Sequence, residues 1–168
     1  MTQLGNEADA KESKREHLYE KYNNVGLETG VRLQGDYFLS RVEELDELDS
    51  SWTEAWLTWI YDHLYNRNVL DDKTRVLVVL GECCVLGAEM QIPNHIRSAM
   101  RAGATEKEVL EVILQSAVYG GIPRMMMAMK HLIETGSCWF RHHKPFTAGY
   151  SYLHTRSITR INLPTKPQ

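Results

Sequence analysis

This chain of 168 residues is short of almost everything that marks a specialised fold. It has three cysteines, Cys83, Cys84 and Cys138, an odd number with two adjacent, which cannot close into a disulfide set. No CxxC spacing occurs, and His142 and His143 are neighbours rather than i, i+4 partners on one helix face, so no metal ion is expected. No apolar run approaches the roughly 20 residues that a bilayer span requires. The opening MTQLGNEADAKESKREH lacks the apolar core of a secretory signal. A soluble, cytoplasmic protein with no membrane partner is the expectation. Strand signals are scarce too, because no alternating Val, Thr or Tyr runs stand between Asn-Gly or Asp-Gly turns.

What is present is helix punctuation and a sizeable apolar fraction. With 43% hydrophobic residues the chain is long enough to build one core without covalent staples. Its formal charge of −3 hides two unlike halves: residues 1–74 hold 16 acidic against 8 basic side chains, and residues 75–168 hold 6 against 11. A sequence pI near 6.2 and the lack of any reading motif argue against nucleic acid as a partner.

The pattern predicts an all-α, multihelical fold of about six to seven helices in three stretches. Residues 1–25 read as a frayed N-terminus and a charged helix from Lys14 to Tyr22, followed by breaks at Gly26, Gly30 and Gly35. Residues 26–136 read as the helical domain. In it, Tyr37–Leu48 forms an acidic amphipathic helix. Ser51 with Glu54 makes a capping box for a tryptophan-rich helix from Trp52 to Asn66. Asp71 or Asp72 caps Arg75–Gly87, a helix apolar almost all round that must be buried on most sides, with Cys83 and Cys84 as small core residues. Pro93 opens Ile92–Ala102, Gly103 closes it, Thr105 with Glu108 caps Glu106–Tyr119, and a last helix covers Arg124–Thr135. Residues 137–168 form an acid-free arm rich in aromatic and basic residues.

Three places could carry chemistry. Glu111, Gln115 and Tyr119 recur at spacing four and make one polar row on an otherwise apolar helix. Such a row faces water, pairs internally or lines a pocket, since burying it without partners costs several kcal/mol. His95 lies in the first turn of its helix, where the positive dipole end disfavours the imidazolium. Gly120-Gly121-Ile122-Pro123-Arg124 offers backbone amides and a guanidinium at a helix start, as an anion cradle or merely a tight corner.

The stretch from Thr74 to Arg124 resembles the carboxymuconolactone decarboxylase family, within the all-helical AhpD-like superfamily. The matching residues are Thr74-Arg75, Gly87, His95, Ala99, Gly103, Thr105, Glu108, Glu111, Gln115 and Val118-Tyr119-x-Gly121-x-Pro123. Gly26-Leu27-Glu28, Gly35, Arg67 and Leu70 extend the match upstream. The superfamily's peroxidase branch uses a CxxC pair ahead of the matching histidine. Here those positions are Ala88 and Gln91, so that relay is not expected.

The resemblance implies the decarboxylase branch, whose reaction in protocatechuate breakdown loses CO2 from a carboxylated unsaturated lactone without a cofactor. It implies His95 as the proton-transfer residue, Glu111 and Tyr119 assisting, and Arg67, Gln91, Gln115 and Arg124 binding an anionic small-molecule substrate. It also implies a homo-oligomer, trimer or hexamer. The sequence departs from that branch at three places: an arginine position falls on Gly30, a glutamate four residues before the histidine is Gln91, and a W-G-x-x-W-x-R-P segment is Tyr61 to Asn68. An isomerase, cyclase or dehydratase on the same scaffold, or a non-catalytic binding or assembly subunit, is the competing expectation.

Overall fold

The computed structural model describes residues 15–22 and 24–135. The arm 137–168 lies outside the described residues, as do the first 14. Between Asn24 and Glu134 the described residues form eight α-helices, and they contain no strand. A helix α1 at 15–21 precedes them. The all-α expectation therefore holds, with more helices than the sequence suggested.

One extra helix is α2, Asn24–Gln34, which runs straight through Gly26 and Gly30. These glycines were expected to break the chain, and only Gly35 does, at φ +70. Inside α2 the missing side chains serve packing. A Cβ on Gly30 would stand 2.0 Å from Phe38 Cε1, and one on Gly26 would meet the Leu57 carbonyl at 3.0 Å. Close approach of α3, Asp36–Leu48, and of the segment around Leu57 outweighs the roughly 1 kcal/mol that each glycine costs a helix.

The tryptophan-rich stretch is also built differently. Asp49, rather than Ser51, caps α4 (Ser50–Trp56), its carboxylate accepting from the Ser51 and Trp52 amides at 3.0 Å. The helix then widens into a π-helical segment, Leu57–Leu64, and ends in a 3-10 turn, Tyr65–Arg67. Asn68 stops it in the left-handed conformation at φ 55. Asn66 locks the exit by donating to Thr29 Oγ1 at 2.9 Å and to the Tyr61 carbonyl at 3.1 Å. Of the tryptophans in this stretch, Trp52 and Trp59 are exposed in the single chain.

Two apolar clusters share α2. Leu27 belongs to the first with Leu18, Phe38, Val42, Leu57 and Tyr61. Leu33 belongs to the second with residues of α5 (Asp72–Leu86), α6 (Ile92–Arg101), α7 (Glu106–Gln115) and α9 (Ile122–Glu134). The N-terminal helix is thus part of the packed structure, with Leu18 buried and Lys21 paired to Asp46 at 2.7 Å. Helix α5 buries Val76, Leu80, Cys83 and Cys84 but exposes Val78 and Leu86, so within one chain it is not buried all round. No helix of the described residues is long and apolar enough to cross a membrane.

Candidate functional site

The first turn of α5 is fixed by Asp71, whose carboxylate accepts from the Thr74 amide at 2.8 Å and the Thr74 hydroxyl at 3.0 Å. From there Thr74, Leu77, Val78, Gly81 and Val85 recur at helical spacing along the outer face of α5, opposite Val76, Leu80 and Cys83. Facing them is α7, started by the expected capping box. Glu108 accepts from the Thr105 amide at 2.7 Å, and Thr105 Oγ1 accepts from the Glu108 amide at 3.2 Å. The two helices enclose an open groove of about 680 Å³.

Glu111, Gln115 and Tyr119 all line this groove. The helix carrying them is interrupted at Ser116, buried, whose hydroxyl donates to the Ile113 carbonyl at 2.6 Å. Tyr119 therefore sits on a separate short helix, α8, Ala117–Gly120. The row survives the break, and all three side chains are exposed at the groove wall. Lys73 joins them, which sequence reasoning missed. Its ammonium donates to Glu108 Oε1 at 3.0 Å, and together with the Thr105 bonds it pulls the Glu108 carboxyl down to about 2. An apolar floor with a few polar groups at its edge suits a small organic molecule.

His95 lies elsewhere. It sits in the first turn of α6, with Pro93 before it and its amide bonded to the Gln91 carbonyl at 3.0 Å. The ring is half-buried, and that burial alone holds its pKa below the ordinary histidine value. The α6 residues Ile92 and Ile96 share a core cluster with Leu80 and Cys84, the inner face of α5, whereas the groove follows the outer face. In one chain His95 and the Glu111–Gln115–Tyr119 row are therefore on opposite sides of α5.

The remaining candidates are scattered. Gln91 is exposed at the head of α6 and makes no side-chain cap there. Arg67 ends the 3-10 turn, exposed. Arg124 lies across the C-terminus of α5, where a Cβ on Gly87 would approach its Nη1 to 2.1 Å. This position favours a cation through the helix dipole. None of Arg67, Gln91, Arg124 or His95 lines the groove. Cys83 and Cys84 are buried, and burial pushes the Cys84 thiol up to about 11, as inert core thiols behave. Among the described residues no group of three His, Cys, Asp or Glu side chains is arranged to hold a metal ion.

Comparison with known proteins points in one direction. The family model described as "Carboxymuconolactone decarboxylase family" matches residues 51–134, half of the chain. An uncharacterized 15.0 kDa protein of Paracoccus denitrificans is 43% identical over 79 residues, covering 46% of this chain and 56% of its own. A nitrosuccinic acid decarboxylase of Metarhizium robertsii is 37% identical over 71 residues, covering 42% of this chain and 50% of its own. The matched region thus spans about half the length of these two relatives. An uncharacterized protein of Methanocaldococcus jannaschii is 28% identical over 71 residues, 42% of this chain and 66% of its own.

Proposed function

This chain belongs to the carboxymuconolactone decarboxylase family, and we propose that it is a cofactor-independent carbon–carbon lyase, acting on a small carboxylated acid with His95 in proton transfer. The observation that carries this reading is the half-buried, desolvated imidazole at the head of α6. Held below its ordinary pKa, it is neutral near pH 7. It then offers one N–H to a developing enolate oxygen and one lone pair to a proton.

The reaction asks little else of a protein. The bond to the carboxylate breaks, CO2 leaves, and the electron pair moves into an adjacent carbonyl or nitro group. A proton from solvent, relayed through the imidazole, then restores the carbon or oxygen acid. A lactone carbonyl and the nitro group of nitrosuccinic acid are both such electron sinks, which fits the activity named for the Metarhizium relative.

Glu111 and Tyr119 assist, and Gln115, Gln91, Arg67 and Arg124 contribute to substrate binding. Because the groove and α6 flank α5 on opposite sides, this set converges where two copies of the chain meet, in a trimer or hexamer. Val78, Leu86, Leu114, Val118 and Ile122, all exposed on α5 and α7–α9, support such an assembly.

The test is CO2 release from nitrosuccinic acid and from a carboxylated unsaturated lactone. His95→Ala is expected to slow the active substrate by about 100-fold or more. Equal rates in wild type and variant would sink the assignment of His95. Turnover of either compound without CO2 would replace the lyase by an isomerase or dehydratase.

A further inference from the structure

Helix α6 has a second face that opens onto a cavity. Ile92, Ile96 and Ala99 point into the core, while Asn94, Arg97 and Arg101 line a cleft of about 460 Å³ against the corner where α2 turns into α3. At 3.6 residues per turn Arg97 is about 160° around the helix from His95, so this cleft is separate from the histidine. It shares no lining residue with the groove on α5 and α7.

The cleft is rich in donors. Arg97 Nη2 donates to Asn94 Oδ1, which orients the amide of a side chain that is only 8% exposed. The Asn94 NH2 group then has no acceptor among the described residues. Arg101 lies across Gly35, where a Cβ would come within 2.6 Å of Nη2. Gly35 thus both permits the left-handed turn and leaves room for the guanidinium.

Arg97 and Arg101 stand at i, i+4, a spacing at which like charges repel. Among the described residues neither forms an ion pair. Two other lining residues are engaged elsewhere: the Tyr37 hydroxyl accepts from Arg41 at 2.6 Å, and Gln34 donates to the Tyr61 hydroxyl at 2.8 Å. One carboxylate, Asp36, lines the cleft against the two guanidiniums.

From this convergence of two guanidiniums and an oriented amide on one cavity, we propose that the cleft binds a small oxyanion, a carboxylate or a phosphate, at a site distinct from the groove and from His95. Guanidiniums favour both because each presents two oxygens to the planar fork. The cleft volume admits a compound of a few carbon atoms in either case.

Isothermal titration of the full chain with succinate, inorganic phosphate and chloride at matched ionic strength tests this without any assay of catalysis. Saturable heat with succinate or phosphate and none with chloride is expected, and the tighter of the two names the oxyanion. Arg97→Gln/Arg101→Gln should weaken that binding by about tenfold or more. Arg101→Lys, which keeps the charge but loses the fork, should weaken it less. Lys130→Gln, distant on α9, should not change it. Circular dichroism of each variant confirms the fold. Absence of saturable binding in the wild type, or equal binding by the folded double variant, overturns the site.

Discussion

Lys73 and Glu108 meet at 3.0 Å, so the carboxylate that caps α7 also ties that helix to the first turn of α5. One side chain thereby sets both the start of α7 and the width of the groove beside it. The Glu108 carboxyl, ordinarily near 4.5, is drawn to about 2 by the Thr105 amide first and Lys73 next. A depressed carboxyl stabilises the fold above its unfolded value and loses that contribution as pH falls through the folded one. Glu108→Gln should therefore lower Tm at pH 7, and the gap to wild type should close between about pH 4.5 and about pH 2. Thermal melts across that range check it; a gap independent of pH would show that the carboxylate charge is not what matters.

The start of α4 separates two residues that the sequence alone makes look alike. Asp49 accepts from two backbone amides, and those bonds hold its carboxyl below the usual range. Asp49→Ala should lower Tm by a few degrees, whereas Ser51→Ala should leave it nearly unchanged. The reverse order in thermal melts would restore Ser51 as the cap.

Gly30→Ala places a methyl group 2.0 Å from Phe38 Cε1 in the first core cluster. Overpacking of this kind costs about 1–3 kcal/mol in urea denaturation. Because the cause is one ring, combining it with Phe38→Leu should cost less than the two single changes added together. Strict additivity would place the strain elsewhere in α2.

Cys83 and Cys84 should be silent toward a thiol reagent at pH 8 in the folded protein. Burial raises both thiols, Cys84 to about 11, and keeps the reagent out. In a Cys138→Ser background, colour should develop with Ellman's reagent only as denaturant unfolds the chain. Rapid reaction before unfolding would reopen a redox role for the pair.

Much of the helix pattern is legible because its signals are local. Thr105 with Glu108, Asp71 ahead of Thr74, Pro93 and Gly87 all punctuate helices through bonds or dihedrals within four residues. Gly26 and Gly30 mislead because their role is set by Phe38 and Leu57, contacts that local spacing does not encode. Ser51 misleads because Asp49, two residues earlier, competes for the same amides. The polar row of Glu111, Gln115 and Tyr119 is readable from its period, but Lys73 reaches its edge only through tertiary packing. Arg97 and Arg101 show the same four-residue spacing in sequence. Nothing local reveals that α2 and α3 turn a corner beside them.

The widened turn at Leu57–Leu64 also bears on how relatives are compared. A relative whose helix stays α-helical through this stretch presents its aromatic side chains rotated from those here, even where every residue pairs without a gap. Tyr61, tilted against Phe38 at 4.4 Å and stacked on Tyr65 at 5.3 Å, would then be matched to a position facing another way. One inserted residue is enough to turn α-helix into π-helix. The Tyr61–Asn68 segment keeps the motif's arginine as Arg67, and the widened turn decides which way Tyr61 and Tyr65 face as much as their identities do.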